Sequence, residues 1–307
     1  MRRSLLALPL MCPAVAAAAP AEFILDTPNS FLTIGGNVAG APITQQGAGS
    51  LRTTYVGNIL ANLSPGTIEF VGGSGDANVT GSWQPLPDGS LGSAPADYGG
   101  KFKVLIFFDA FFAIRDLVIA GTSGPLPLSG AGTFDSTGVT FTALRGDLAF
   151  NAAALSQMGA STLDGSAGQN QATSPGSITI SPITNGATAT LFVPALGAFV
   201  VNSATLGTAT LTFTGQTQAH VSSIFGDASF DRTVDIGDFA ILGSNFNLPG
   251  DWLAGDFDFT GTVGIADFAQ LAANFNQSAP ALPRGGAVPE PAAGLPLVTL
   301  LLRRRRR

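Results

Sequence analysis

Apolar and polar positions alternate with a period of two over short stretches of the chain. Across residues 208–214, Ala209, Leu211 and Phe213 fill one set of positions and Thr208, Thr210, Thr212 and Thr214 the other. Successive side chains of an extended strand point to opposite faces, so this pattern predicts a strand with its apolar set turned inward. Val139, Phe141 and Ala143, interleaved with Thr140 and Thr142, predict a second strand, and residues 177–180 and 188–193 two shorter ones. Turn pairs such as Asp88-Gly89, Asp164-Gly165 and Asn185-Gly186 punctuate these runs. The regular spacing predicts an all-β body over residues 22–223, a β-sandwich or barrel of roughly eight to twelve strands.

Two stretches of the body read differently. Residues 104–114, VLIFFDAFFAI, are its most hydrophobic run. At about half a membrane span they predict a buried strand or short helix, with Asp109 as a turn residue, a capped or paired core acid, or a site carboxylate. Residues 159–177 are rich in Gly, Ser, Gln and Asn and predict a long exposed loop.

Towards the C-terminus the period changes to that of a helix. Phe239, Leu242 and Phe246, and again Phe268, Leu271 and Phe275, fall on one helical face. These residues belong to two copies of one unit: residues 226–247, GDASFDRTVDIGDFAILGSNFN, and residues 255–276, GDFDFTGTVGIADFAQLAANFN, superimpose without a gap at an offset of 29 residues.

Each copy opens with oxygen-bearing residues at the spacing that wraps a hard cation. Loop 1 offers Asp227, Ser229, Asp231, Thr233 through its carbonyl, Asp235 and Asp238 at positions 1, 3, 5, 7, 9 and 12. Loop 2 offers Asp256, Asp258, Thr260, Thr262, Gly264 and Asp267, with a water standing in at Gly264, which has no side chain. Oxygen ligands at alternate positions, running into a helix, point to Ca2+. Val234 and Val263, at position 8, predict a short pairing between the two loops. Four acids in loop 1 against three in loop 2 predict tighter binding by loop 1. Arg232 stands at position 6, where the turn favours a left-handed backbone and glycine, at a strain of about 1 kcal/mol. Eight acids and one arginine within residues 226–276 repel one another unless a cation neutralises them.

This pair of loop-helix repeats resembles the type I dockerin, over about a sixth of the chain. The resemblance implies a small α domain over residues 224–278, calcium-dependent folding and, in cellulosomal members, a cohesin partner engaged through a Ser-Thr-like pair at loop positions 10 and 11. Those positions hold Ile236-Gly237 and Ile265-Ala266, which argues against a cohesin.

The chain ends concern destination. Arg2 and Arg3, an apolar run from Leu5 to Ala19 and the small residues Ala19 and Ala21 predict a secretory signal peptide over residues 1–21, cleaved before Glu22. The sole cysteine, Cys12, follows Pro9, Leu10 and Met11 without the small residue of a lipidation site, and its loss leaves a chain with no disulfide. At the other end, after a linker at residues 279–287, Val288-Pro289-Glu290-Pro291 precedes an apolar run from Ala292 to Leu302 and five arginines, Arg303 to Arg307. This tail, residues 288–307, resembles the PEP-CTERM sorting signal. The resemblance implies exosortase-type sorting machinery, removal of the tail, and release or attachment at the cell surface or outer membrane. Eleven apolar residues make a helix of roughly 16 Å against a hydrocarbon core of about 30 Å, so transient membrane insertion is expected rather than a permanent anchor.

Seven of the twelve arginines lie in these ends, which leaves the remainder acidic and excludes a nucleic-acid partner. A single histidine, His220, rules out a histidine-based zinc cluster and leaves one residue for any serine triad. Arg145-Gly146-Asp147 matches an adhesion tripeptide but lies beside a predicted strand. Glu69, Asp109, Asp116 and Asp135 are available to a glycoside hydrolase, yet no motif pairs them, and two Trp and two Tyr make few sugar-stacking platforms. No phosphate-binding loop or nicotinamide fingerprint is present. The expectation is an exported, non-catalytic cell-surface or extracellular-matrix protein with a calcium-stabilised module, contacting a polysaccharide or a surface protein. The alternatives are a secreted carbohydrate-active enzyme or carbohydrate-binding protein using the β body, and a cohesin-type docking subunit.

Overall fold

The structure is a computed structural model describing residues 19–280, apart from 79–85, 87–88, 93–94 and 204–206. Nearly all of the signal peptide, most of the linker, the sorting tail and the Asp88 turn position lie outside the described residues.

Sixteen strands are present among the described residues: β1 (Ala21–Leu25), β2 (Phe31–Val38), β3 (Ala41–Pro42), β4 (Thr44–Gln45), β5 (Arg52–Ser64), β6 (Thr67–Asn78), β7 (Tyr98–Val104), β8 (Phe108–Thr122), β9 (Leu126–Pro127), β10 (Thr133–Phe134), β11 (Thr140–Ala152), β12 (Gln157–Thr162), β13 (Ala167–Gln169), β14 (Gly176–Ile183), β15 (Gly186–Ser203) and β16 (Gly207–Ile224). Two helices follow, α1 (Ile236–Asn245) and α2 (Ile265–Asn274). The count exceeds the eight to twelve expected because β3, β4, β9, β10 and β13 have only two or three residues, too short to carry a readable alternation.

The strands form one large antiparallel sheet, with the main order β10-β14-β15-β16-β1-β5-β6-β8-β11-β12. Its longest pairing is the β15-β16 hairpin, in register from Gly186 opposite Ile224 to Ser203 opposite Gly207. The sheet coils over itself. Phe141 on β11 meets Phe213 on β16 edge-to-face at 5.6 Å between centroids, although four strands separate β11 from β16 in the order, and Phe70 on β6 meets Phe134 on β10 at the same distance. Ala209, Leu211 and Phe213 are buried as their alternation requires, and so are Val139, Phe141 and Ala143. Asn170 ties two layers together: its side chain donates to Ser136 O and Pro194 O and accepts from Ala172 N and Leu196 N, which uses the whole hydrogen-bonding capacity of the amide.

Two expectations for the body are corrected in part. Residues 104–114 are not one buried strand or helix: the last of them begin β8, where Ala110, Phe112, Ala113 and Ile114 are buried, but the stretch before them is a turn. The chain turns back at residues 105–107, so Val104 lies opposite Phe108 and Lys103 opposite Asp109, and Leu105 to Phe108 sit at a hairpin tip. Residues 159–177 are largely exposed, as expected, but are not one long loop, because β12 and β13 both pair with β11. Backbone pairing at a solvent-facing edge makes no demand for apolar side chains, and so left no hydrophobic signal. The turn signalled by Asn185-Gly186 does separate β14 from β15; it consists of Thr184 and Asn185, with Gly186 already paired with Ile183.

The helices are a smaller part of the fold than the repeats suggested. Leu242 and Leu271 are buried, but Phe239, Phe268, Phe246 and Phe275 are each about 40% exposed. Helices of ten residues, packed on one another and, for α1, on the turn at Trp252–Ala254, bury only one residue of each predicted face. Phe239 and Phe268 lie against each other instead, 6.1 Å apart. Among the described residues no helix is long and apolar enough to cross a membrane.

Candidate metal centre

The last strand of the sheet leads straight into the first acidic loop. β16 ends at Ile224, and three residues later Asp227 is fully buried, with its Oδ2 accepting from the Ser223 hydroxyl. Loop 1 then folds around carboxylates in a pattern that loop 2 repeats almost bond for bond. Asp227 Oδ2 accepts from Arg232 N at 2.7 Å, and Asp256 Oδ2 from Gly261 N at 2.8 Å. At position 12 the carboxylate reaches back across the loop. Asp238 Oδ1 accepts from Ala228 N and Ser229 N at 2.9 and 3.3 Å, and its Oδ2 from Asp235 N at 2.9 Å. In loop 2, Asp267 Oδ1 accepts from Phe257 N and Asp258 N at 2.7 and 3.0 Å, and its Oδ2 from Gly264 N at 2.7 Å.

The backbone repeats as closely. Position 4 is left-handed in both copies, at φ +59° for Phe230 and +58° for Phe259. Position 6 is left-handed too, at +77° for Arg232 and +84° for Gly261, so the arginine adopts the conformation that its place in the repeat requires. Asp235 and Asp238 close the start of α1, with Asp235 Oδ1 accepting from Gly237 N at 2.7 Å.

In loop 2, Asp256, Asp258 and Asp267 each bring a carboxylate oxygen into a group whose members lie within 4.8 Å of one another. This is the one such triad found among the described residues. Thr260 stands beside it, donating from its N to Asp256 and Asp258 and from its hydroxyl to Thr262 O. In loop 1 the side chains of Ser229 and Asp231 continue the chain of bonds: Ser229 Oγ donates to Asp227 Oδ1, and Asp231 Oδ1 accepts from Thr233 N. Every side-chain donor atom gathered by the two loops is oxygen, as a hard divalent cation prefers.

Burial sets the electrostatics. Loss of hydration pushes the Asp227 carboxyl up to about 7, and Asp238 and Asp231 add repulsion, while the Ser223 hydrogen bond opposes the shift. Asp238 rises to about 6, again chiefly through burial and against the backbone N–H bonds it accepts. Burial raises Asp231 and Asp256 as well, whereas a hydrogen bond from the Thr260 side chain lowers Asp258. Carboxylates removed from water beside one another are unfavourable as anions unless a cation compensates them.

The expected pairing of Val234 with Val263 is replaced by a crossed arrangement. Val234 N donates to Gln277 O and its carbonyl accepts from Asn276 N, while Val263 exchanges bonds with Asn247 N and Leu248 O. Each loop is therefore tied to the segment that follows the other repeat's helix. Left-handed Asn247 and Asn276, at φ +61° and +62°, turn the chain there, and the returning segments occupy the edge that a direct loop-to-loop pairing would need.

Trp252 is the main feature that the sequence did not disclose. It is buried in the connection between the repeats, its Nε1 donates to Asp227 O at 2.7 Å, and its ring lies within 6.0 Å of those of Phe225, Phe230, Phe257 and Phe259. Phe230 and Phe259 share position 4 of the repeat, and that coincidence was the available signal. Of the other sequence candidates, Asp109 pairs with Lys103 at 2.8 Å and Lys101 at 3.6 Å, Glu69 accepts from Asn62, and Asp135 caps a short turn through Thr137 N. His220 is exposed on β16, and Arg145-Gly146-Asp147 lies within β11. Comparison of the chain with known protein families, curated proteins and solved structures returned no match.

Proposed function

We propose that the two loops bind Ca2+ and that the protein is an exported, non-catalytic component of the cell surface or extracellular matrix. The observation that carries the metal reading is the bond-for-bond recurrence of the loop. In two copies a position-1 aspartate and a position-12 aspartate are buried and held by backbone N–H groups at the same positions. Loop 1 would supply Asp227, Ser229, Asp231, Asp235, Asp238 and the Thr233 carbonyl. Loop 2 would supply Asp256, Asp258, Asp267, the Thr260 side chain and the Thr262 carbonyl. Charge count favours loop 1, but site rigidity also tunes affinity. The triad already gathered in loop 2, and Gly261 at its left-handed position, make loop 2 the site that fills first.

The metal's role in this reading is mechanical. Asp227 is bonded to Ser223 of the last strand and, through its carbonyl, to Trp252, so an ion in loop 1 braces the repeats against the sheet. The repeat pair, with its calcium loops and two short helices, is read as a dockerin-like module without a cohesin partner. Support for a non-catalytic body comes from the carboxylates, since Glu69, Asp109 and Asp135 hold local structure. The signal peptide and sorting tail read from the chain ends support export through exosortase-type machinery.

The test is thermal unfolding of the chain in calcium and in chelator. A ligand present at 100 times its Kd stabilises a native state by about 2.7 kcal/mol, and a rise in Tm is expected with Ca2+. An identical Tm in both conditions, at millimolar calcium, overturns the reading.

A further inference from the structure

The hairpin that joins β7 to β8 presents four consecutive large apolar side chains to solvent: Leu105 is 60% exposed, Ile106 80%, Phe107 77% and Phe108 54%. Nothing in the calcium reading uses them. They cap a narrow two-stranded projection of the sheet rather than line a groove, so they suit an occupant that can surround a tip.

The backbone adds to their cost. Leu105 and Ile106 both have positive φ, +48° and +72°, a region unfavourable for a bulky side chain and most of all for a β-branched one. At other turns this chain meets the same demand with glycine, as at Gly66 and Gly165. Strain of this kind, on side chains left exposed among the described residues, points to a site selected for something beyond stability.

Charge identifies the occupant. The chain has only two lysines, Lys101 and Lys103, and both lie on β7 just behind the tip. They are two residues apart and so share one face of the strand; at strand rise their Cα atoms stand about 7 to 13 Å back from the turn, and the Lys103 ammonium reaches forward to donate to Phe107 O at 3.2 Å. Both contact Asp109, at 3.6 and 2.8 Å, which leaves this collar with one net positive charge on an otherwise acidic body. An apolar end about 5 to 10 Å deep with cationic side chains behind it matches the layers of a bilayer surface, acyl chains below and phosphate headgroups above.

We propose that the tip at residues 105–108 inserts into the interface of a phospholipid bilayer carrying anionic headgroups, with Lys101 and Lys103 at headgroup level. Leu105, Ile106 and Phe107 enter the acyl boundary, and the sheet stands off the membrane on the β7-β8 stem.

The test uses the full chain with Cys12→Ser and Ile106→Cys, labelled at residue 106 with an environment-sensitive fluorophore. A control carries the label through Ile183→Cys, an exposed site at the end of β14. With vesicles of phosphatidylcholine and phosphatidylglycerol, emission from position 106 is expected to shift to the blue and to resist iodide quenching, while position 183 stays aqueous. Vesicles of phosphatidylcholine alone are expected to give weaker partitioning. In an unlabelled chain, Leu105→Asn with Ile106→Gly relieves the left-handed strain, so it keeps or raises Tm, and it is expected to reduce binding to vesicles about tenfold or more. Three results overturn the proposal: a label at 106 that stays aqueous while the chain binds vesicles by other segments, equal response to neutral and anionic vesicles, or a blue shift that needs no vesicles and follows protein concentration, which would mean that a second copy covers the tip.

Discussion

Gly226 packs against Leu271 so closely that a Cβ on the glycine would lie 2.8 Å from the Leu271 Cα, and one repeat later Gly255 stands in the same relation to Leu242, at 3.0 Å. The residue that opens each loop thus touches the one buried leucine of the opposite helix. Both glycines are left-handed, at φ +98° and +102°. Gly226→Ala and Gly255→Ala each add backbone strain of about 1–2 kcal/mol to overpacking of about 1–3 kcal/mol. We expect urea unfolding to show each variant less stable by roughly 2–4 kcal/mol. A change under half a kcal/mol would refute the packing described.

Arg232 gives the opposite case. Its left-handed φ of +77° costs about 1 kcal/mol relative to glycine, while its side chain gains one partly buried hydrogen bond to Ala279 O at 3.1 Å. For stability these nearly cancel. For a cation in loop 1 they do not, because Arg232→Gly also removes a positive charge beside the ligands. Titration should show loop 1 tightening by about two- to fivefold at low salt, with Tm in chelator moving by no more than about 3 °C. Weaker calcium binding by this variant would contradict the placement of Arg232 at position 6.

Asp97 supplies a pH dependence within the body. It is buried, its carboxyl accepts from Leu117 N at 2.9 Å, and burial pushes its pKa up to about 6 against that hydrogen bond, with Asp116 adding to the rise. The native state therefore holds this proton more tightly than the unfolded chain does. The associated stability is complete below about pH 4 and is lost as pH rises through about 6, a loss on the order of 2 kcal/mol. Asp97→Asn keeps the acceptor and removes the charge. It should match the parent near pH 4 and exceed its stability near pH 8, and a difference that does not change with pH would sink the assignment.

The fold was legible where one face of a strand is buried, as at Ala209, Leu211 and Phe213, because burial imposes the alternation. It was illegible where pairing is a backbone matter, as in β12. It was misleading at residues 105–108, where the first part of a hydrophobic run turns outward at a hairpin while Ala110, Phe112, Ala113 and Ile114 stay buried. The equivalence of the two loops could be read from their matching sequences, and the structure repeats the same backbone hydrogen bonds to the position-1 and position-12 aspartates in both. Trp252, Ser223 and the crossed ties of Val234 and Val263 could not be read, since each depends on which distant segment folds back. The repeat did carry a partial hint in Gly226/Gly255 and Phe230/Phe259, where copies agree at positions that offer no ligand.

Isothermal titration of the chain with calcium, beside Asp256→Asn and Asp227→Asn, tests the metal reading most directly. The account predicts two sites in the parent. Asp256→Asn should remove the tighter one and Asp227→Asn the weaker one, and only the latter should also diminish the calcium-dependent change in tryptophan fluorescence that Trp252 reports through its bond to the Asp227 carbonyl. No heat of binding at millimolar calcium, or binding that survives both substitutions together, would contradict it.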